Sequence, residues 1–192
     1  MNVAAILLAA GSASRFGSDK LHHALPHGVA IAVQSARHLH AVFGKSLAVV
    51  RPGAEALAEK LRAEGCDIAV CETAAEGMGE SLACAVRAVG PADAYVVALA
   101  DMPFIRPSSI EAVRDALAAG GALVAPYFRA HRGHPVGISG RFRAELEALK
   151  GDEGARKLLV ARAAELVKVP VGDPGVVRDI DKPSDLTPPL VV

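Results

Sequence analysis

The sequence predicts an α/β protein in which a mostly parallel, mixed sheet lies between two layers of helices, folded as a single domain over residues 1–192. Three observations carry this prediction. Short apolar runs, such as Val3–Ala9 and Tyr95–Ala100, alternate with stretches of helical periodicity. These runs lack polar alternation, so we expect strands that are buried on both faces. A chain of 192 residues that is 52 % apolar suits one domain with a sizeable core.

The first half of the chain alternates regularly between the two element types. Strands are expected at residues 3–9, 46–50, 68–71 and 95–100. Helices are expected at residues 29–42 and 54–64 and from Met78 onward. Strictly alternating elements of this kind favour parallel βαβ units with right-handed crossovers.

The second half continues the alternation. Ser108 and Glu111 have the spacing of a capping box, which predicts a helix that starts with Ser108 as its N-cap and runs to Ala119. Strands are then expected at residues 122–125 and 166–171, and helices at 141–150 and 151–162. Asp152 is interpreted as the cap of the last helix. Residues 187–192 are expected to form a C-terminal tail.

Charge and composition exclude several classes of function. Lys plus Arg equal Asp plus Glu at 21 each, so no overall field attracts nucleic acid or an anionic membrane. No apolar run approaches the ~20 residues of a membrane span, and the N-terminus lacks the basic segment of a signal peptide. The three cysteines have neither zinc nor redox spacing. We therefore expect a cytoplasmic protein that binds neither nucleic acid nor membrane.

The loop that follows the first apolar run has the composition of an anion site. It contains Gly11 and Gly17, which allow backbone N–H groups to approach a ligand, and it carries Arg15 and Lys20. Five residues separate the two glycines and Lys20 comes three residues later, so the spacing is not that of a P-loop. A phosphate site and an ordinary surface turn both remain open from these residues alone.

The longer stretch LAAGSASRFGSDKL closely resembles the signature loop of the molybdopterin nucleotidyltransferases, which include the molybdenum cofactor cytidylyl- and guanylyltransferases. The family pattern is L-A-(A/G)-G-x-S-x-R-(F/M)-G-x-x-K. Its matching positions here are Leu8, Ala9, Ala10, Gly11, Ser14, Arg15, Phe16, Gly17 and Lys20. The resemblance implies a Rossmann-like αβα sandwich of the nucleotidyltransferase (GT-A-like) type, with Arg15 and Lys20 as catalytic residues that hold the triphosphate.

A second motif follows the apolar strand Tyr95–Ala100. Asp101 ends this run, where open α/β sheets bind their ligands, and a carboxylate with phosphate oxygens suits Mg²⁺. Asp101 as the cap of a turn is the alternative. Asp101-Met102-Pro103 resembles the family's metal motif, which makes Asp101 catalytic. The resemblance adds Asp179 and Asp181 as further candidate ligands and leaves open which of the two reaches the metal.

The resemblance also implies the remaining nucleotide and acceptor contacts. Gly79 and Ser81, at the start of the predicted helix from Met78, match a region that contacts base and ribose. Together with the loop, the implied nucleotide-binding residues are Leu8, Ala9, Ala10, Gly11, Ser12, Ser14, Gly17, Gly79 and Ser81. Arg129 and Arg132 lie in the densest cationic stretch of the chain, beside the family-like G-H-P-V element, and with His134 they are the candidate acceptor site. Residues 151–156 form a further family-like stretch, G-D-x-G-A-R, for which the start of a helix capped by Asp152 is the favoured interpretation.

These motifs together imply a Mg²⁺-dependent nucleotidyltransferase of molybdenum cofactor biosynthesis. LAAG in place of LAGG resembles the cytidylyl branch, so CTP is expected before GTP and molybdopterin is the expected acceptor. A recipient molybdoenzyme or its chaperone is the implied protein partner. Transfer to another small phosphorylated acceptor, such as a sugar or polyol phosphate, is the alternative within this class. A non-catalytic cofactor-binding chaperone is the alternative outside it.

Overall fold

The computed structural model describes residues 1–11 and 20–188, and these form a mixed sheet with helices on both faces. The strands of the described residues are β1 Val3–Leu8, β2 Ser46–Val50, β3 Cys66–Val70, β4 Ala94–Leu99, β5 Leu123–Phe128, β6 His131–Arg132, β7 Val136–Ser139 and β8 Leu166–Pro170. Their order is β3-β2-β1-β4-β7-β5-β6, with β8 paired to β5. The predicted α/β architecture with a mostly parallel, mixed sheet is confirmed.

The centre of the sheet is parallel. β1 pairs in parallel with β2 and with β4, and β2 pairs in parallel with β3, whereas β7 runs antiparallel between β4 and β5. All four parallel strands β1 to β4 therefore end at the same edge of the sheet. In open α/β sheets this edge is where ligands bind.

The helices pack on the two faces through the alternating side chains of the strands. They are α1 Ile31–Phe43, α2 Glu55–Ala63, α3 Met78–Val89, α4 Pro107–Ala118, α5 Arg143–Glu147 and α6 Arg156–Ala161. Leu7 of β1 is fully buried in the core cluster formed with α1 and α2, and its neighbour Ile6 is fully buried in the cluster formed with α3, α5 and α6. This period-2 alternation of apolar side chains explains why the first strand has no polar residue.

The predicted capping box at Ser108 is wrong. Helix α4 begins at Pro107 with Arg106 as its N-cap, and no side chain of the helix caps it. Pro suits the first helical position because its missing N–H would have no intrahelical acceptor there. The buried Asp173, from a distant loop, accepts hydrogen bonds from the Arg106 N–H and from the Ser109 hydroxyl, each at 2.8 Å.

Three further boundaries differ from the sequence prediction. β5 continues through Pro126 to Phe128, since its parallel partner β8 extends as far as Pro170. The helix expected at 141–150 is short, with a 3-10 turn at Gly140–Phe142 followed by α5. Asp152 does not cap a helix, because α6 begins at Arg156 with Ala155 as its N-cap.

None of the helices within residues 1–11 and 20–188 is long and apolar enough to cross a membrane. The single-domain boundary at 1–192 stays a prediction, as does the tail, of which Thr187 and Pro188 are described.

Candidate functional site

A cleft of about 670 Å³ lies over the carboxyl ends of the parallel strands. Its walls come from the segments that follow β1, β2, β3 and β4 and from the start of α3. The lining residues are Leu8, Ala10, Gly11, Lys20, Leu21, Arg51, Pro52, Glu72, Ala74, Ala75, Gly77, Met78, Ser81, Leu99, Asp101 and Asp152. A cleft of this volume accommodates a small-molecule ligand or cofactor.

Lys20 joins two distant carboxylates at one end of the cleft. Its Nζ lies 2.9 Å from Asp101 Oδ2, 3.4 Å from Asp181 Oδ1 and 2.8 Å from the carbonyl oxygen of Ile180. The Lys20 side chain is only 13 % exposed. Burial by itself lowers the pKa of Lys20, but Asp101 and then Asp181 outweigh it and raise that pKa above its ordinary value. Lys20 is therefore held as a cation.

The chain positions these groups through the backbone of the final segment. The Ile180 N–H donates to the Asp101 carbonyl at 2.9 Å, and the Ile180 side chain is fully buried. Anchoring Ile180 in the core fixes its neighbours Asp179 and Asp181 beside Asp101. We refer to Lys20, Asp101 and Asp181 as the Lys20 cluster.

Asp179 lies near the Lys20 cluster without joining it in a hydrogen bond. Burial raises the pKa of Asp179, and the negative charges of Asp181 and Asp101 raise it further. Three carboxylates therefore share one electrostatic environment, and only Asp101 and Asp181 contact the lysine.

The two carboxylates of the Lys20 cluster are oxygen ligands of the kind that binds a divalent cation. Two carboxylate oxygens from separate segments converge on the Lys20 ammonium, which stands where a cation shared by both acids would lie. Across residues 1–11 and 20–188, no group of three or more His, Cys, Asp or Glu is arranged to hold a metal ion. Mg²⁺ usually needs only one or two protein carboxylates, because phosphate oxygens and water complete its shell.

The described part of the glycine loop borders the cleft. Leu8, Ala10 and Gly11 line it, and a Cβ placed on Gly11 would meet none of residues 1–11 and 20–188 within 4 Å. Ala9 is buried, and its N–H donates to the Val49 carbonyl at 2.9 Å. The other predicted loop contacts, Ser12, Ser14, Arg15 and Gly17, lie outside the described residues.

The start of α3 meets a loop of the protein where the sequence predicted the approach of a ligand. The Gly79 N–H donates to the Gly151 carbonyl at 2.6 Å, and a Cβ on Gly79 would lie 2.8 Å from the carbonyl oxygens of Lys150 and Gly151. Gly79 is buried and does not line the cleft, whereas Ser81 does. The glycine at this position therefore serves the packing of the 150–152 loop.

The predicted acceptor residues lie on the β5–β6 hairpin, and none of them lines the cleft. Arg129 is exposed, with its guanidinium 5.2 Å from the centre of the Phe128 ring. His134 follows β6, and its N–H donates to the Val176 carbonyl at 2.8 Å. Burial, followed by the charge of Arg132, lowers the pKa of His134 to about 4, while the charge of Asp101 acts in the opposite direction. His134 is therefore neutral at pH 7 and lies within electrostatic reach of Asp101.

The residues that line the rest of the cleft were not predicted from the sequence. Arg51 and Pro52 follow β2, Glu72 follows β3, and Asp152 comes from the loop before α6. Arg51 and Glu72 come directly or nearly directly after a predicted strand, and that position was the one local signal for them. Asp152 lies in the family-like G-D-x-G-A-R stretch, but the sequence analysis interpreted it as a helix cap. The packing of its loop on α3 brings it to the cleft.

The sheet, the cleft over its strand ends and the Lys20 cluster are the features of an α/β protein that binds phosphate groups. The chain belongs to the MobA-like NTP transferase domain family, whose family model matches residues 5–166. Membership of an NTP transferase family implies a nucleoside triphosphate and a phosphorylated acceptor.

Individual proteins are also similar to this chain. The purine catabolism protein PucB of Bacillus subtilis is 33 % identical over 121 residues, which span 60 % of this chain and 57 % of PucB. The crystal structure of Rv0371c from Mycobacterium tuberculosis superposes with a TM-score of 0.80 at 25 % identity, covering 96 % of this chain and 94 % of Rv0371c.

A further structure of Rv0371c is a complex with manganese, with a TM-score of 0.80 at 23 % identity and 96 % of each chain covered. The molybdopterin-guanine dinucleotide biosynthesis protein A of Archaeoglobus fulgidus shares the fold, with a TM-score of 0.64 at 21 % identity, over 95 % of this chain and 94 % of that protein.

Proposed function

We propose that this protein transfers CMP from CTP to a phosphate group of molybdopterin or the molybdenum cofactor, in a Mg²⁺-dependent reaction that releases pyrophosphate. The observation that carries the proposal is the Lys20 cluster, in which one ammonium contacts Asp101 at 2.9 Å and Asp181 at 3.4 Å at the edge of the cleft. An ammonium at the strand ends is suited to neutralise a polyphosphate, and the carboxylates beside it are suited to hold the metal ion.

The proposed chemistry is a single displacement at phosphorus. An oxygen of the acceptor phosphate attacks the α-phosphorus of CTP and forms a new P–O bond. The bond between the α-phosphorus and the bridging oxygen breaks, and its electron pair leaves with pyrophosphate. The acceptor is already an anion, so no Ser, Cys or His nucleophile is needed. Catalysis of this kind depends on positioning and on charge stabilisation.

Lys20 and the backbone at Gly11 would bind the triphosphate and balance the charge that develops on the leaving pyrophosphate. Arg15 is proposed for the same role, as its position in the signature loop implies. Asp101 and Asp181 would hold Mg²⁺, with Asp179 as the further candidate ligand. When bound, Mg²⁺ neutralises charge on the phosphate oxygens between which the transfer takes place.

The preference for CTP rests on Ala10 of the LAAG segment, which resembles the cytidylyl branch of the family. The acceptor is proposed to enter from the β5–β6 hairpin, where Arg129, Arg132 and His134 lie. Neutral His134 can donate to or accept from a phosphate or pterin group, and the two arginines suit bidentate binding of phosphate.

The same experiment tests two alternative functions. Another small phosphorylated acceptor, such as a sugar or polyol phosphate, would leave the nucleotide half of the reaction unchanged. A non-catalytic molybdenum cofactor-binding chaperone would keep the fold without turnover, but the retention of Lys20 and Asp101 in contact argues against it.

The test is pyrophosphate release with Mg²⁺ and either CTP or GTP, measured against molybdopterin, sugar phosphates and polyol phosphates. We expect turnover with molybdopterin and a higher kcat/KM for CTP than for GTP. A preference for GTP would remove the cytidylyl assignment, and turnover only with a sugar or polyol phosphate would replace the acceptor. Binding of the molybdenum cofactor without pyrophosphate release under any condition would favour the chaperone.

A further inference from the structure

We propose that Asp152 reads the base edge of the nucleotide and selects a base that carries an exocyclic amino group, so that CTP is accepted over UTP. This inference rests on the proposed function, because it places a nucleotide in the cleft, and it assigns a role in base selection to Asp152, which the sequence analysis interpreted as a helix cap.

The orientation of the cleft places Asp152 where the nucleobase of a bound nucleotide would lie. Lys20 and Asp101 follow β1 and β4, in the middle of the sheet, and in the proposed function Lys20 binds the phosphates. The cleft continues over β2 and β3, whose following segments supply Pro52 and Glu72. A nucleotide whose phosphates contact Lys20 therefore extends its base toward β3 and the start of α3, where Asp152 lines the wall.

The backbone of the 150–152 loop packs against α3, which places the Asp152 carboxylate beside the start of that helix. The Gly79 N–H donates to the Gly151 carbonyl at 2.6 Å. A Cβ on Gly77 would lie 2.6 Å from Asp152 Oδ1 and would also overlap the backbone of Gly151. Gly77 lines the cleft and has φ 132°, a conformation that favours glycine. The absence of a side chain at Gly77 is thus what allows the carboxylate to lie over the helix start.

The surroundings of Asp152 suit a flat heterocycle. Met78, which is 43 % exposed, and Pro52 line the same end of the cleft and offer apolar surface to the faces of a base. An ionised carboxylate accepts hydrogen bonds and cannot donate them. It therefore pairs with the amino group at C4 of cytosine and repels the carbonyl oxygen at the same position of uracil. Glu72 is a second acceptor on the same wall.

Two matched nucleotide pairs test the inference by calorimetric titration in the presence of Mg²⁺. CTP and UTP differ at the C4 amino group, and GTP and inosine triphosphate differ at the C2 amino group. We expect the wild type to bind the amino-bearing member of its preferred pair at least about tenfold more tightly, since one hydrogen bond to a charged group has roughly that effect.

Asp152→Asn should reduce this ratio about tenfold, mainly through weaker binding of the amino-bearing nucleotide. Glu153→Gln is the matched control, because Glu153 is the exposed neighbour and does not line the cleft, and it should keep the wild-type ratio. Thermal melts of both variants report whether the fold is intact.

An unchanged ratio in a folded Asp152→Asn variant would overturn the inference, as would equal binding of both members of each pair by the wild type. The proposed function survives either result. Absence of binding to all four nucleotides would instead remove the proposed function and the inference together.

Discussion

Lys20 is the residue on which the proposed chemistry depends, because its ammonium contacts acceptors from two stretches of chain far apart in sequence. Its contact to the Ile180 carbonyl, at 2.8 Å, is a third interaction. A lysine held in this way loses little side-chain freedom when a polyphosphate arrives, so the site is organised before binding.

The first prediction at this scale concerns Asp101. Asp101→Asn keeps the shape of the side chain but removes the charge that supports both Lys20 and the proposed metal ion. We expect kcat to fall by about 10² to 10³. Stability should fall by no more than about 1 kcal/mol, because Lys20 retains Asp181 and the Ile180 carbonyl. Turnover across a Mg²⁺ titration, alongside thermal melts, measures both effects.

Asp67→Asn is the matched control for this substitution. Asp67 is 61 % exposed and pairs with Lys45 at the edge of the sheet, so its loss should change neither turnover nor stability measurably. Wild-type turnover in a folded Asp101→Asn variant would show that Asp101 is only a turn residue.

At the residue scale, the local sequence predicted the site residues that lie in motifs. It did not predict the site residues that only tertiary packing brings to the cleft. Asp101 ends an apolar strand, so its place at the sheet edge followed from the pattern. The choice between Asp179 and Asp181 could not be made from two acids two residues apart. It depends on how buried Ile180 turns the segment, and only Asp181 contacts Lys20.

At the scale of elements, the six predicted strands agree with the structure to within about two residues, except β5, because an apolar run bounded by polar residues has clear ends. The short strands β6 and β7 were not predicted. The predicted start of α4 was wrong for a physical reason. Ser108 and Glu111 have capping-box spacing, but Pro107 already occupies the first helical position, and Asp173 satisfies the helix start from outside. A cap supplied by a distant loop leaves no trace in the local sequence.

The second prediction tests this distant cap. Asp173 is 3 % exposed and accepts from the Arg106 N–H, the Ser109 hydroxyl and the Gly175 N–H at 2.8 to 2.9 Å. Asp173→Ala leaves these donors without their acceptor and should lower the free energy of unfolding by about 2 to 4 kcal/mol. Ser108→Ala should cost less than about 0.5 kcal/mol. Chemical denaturation measures the free energy of unfolding of both variants. Equal losses would indicate that Ser108 caps the helix, as the capping-box spacing predicted.

At the scale of the whole molecule, the cleft is assembled from segments that follow four strands, together with the start of α3 and the 150–152 loop. The architecture was predictable because the alternation of apolar runs and helical stretches extends along the chain. The outline of the cleft was not, since it depends on which loops approach each other across the sheet edge. A ligand that contacts all of these segments stabilises the fold as a unit.

The third prediction follows because several separate segments of the chain line the same cleft. CTP with Mg²⁺ at about 100 times its Kd should stabilise the protein by about 2.7 kcal/mol, which raises Tm by roughly 5 to 10 °C for a chain of this length. A metal chelator at the same CTP concentration should remove most of the shift, because the carboxylates of the Lys20 cluster would then face the phosphates without Mg²⁺. A Tm that no nucleoside triphosphate changes would argue against nucleotide binding in this cleft.

The hydrogen bond from Ile180 to Asp101 has a consequence for the order in which the protein matures on the ribosome. Synthesis proceeds from the N-terminus, so Lys20 and Asp101 emerge well before residues 166–181, which bring β8 and Asp181. A nascent chain can pair β1 with β4 while its lysine still lacks the second carboxylate. We therefore expect a growing chain to form the centre of its sheet before it completes the Lys20 cluster, which requires that Asp181 has emerged.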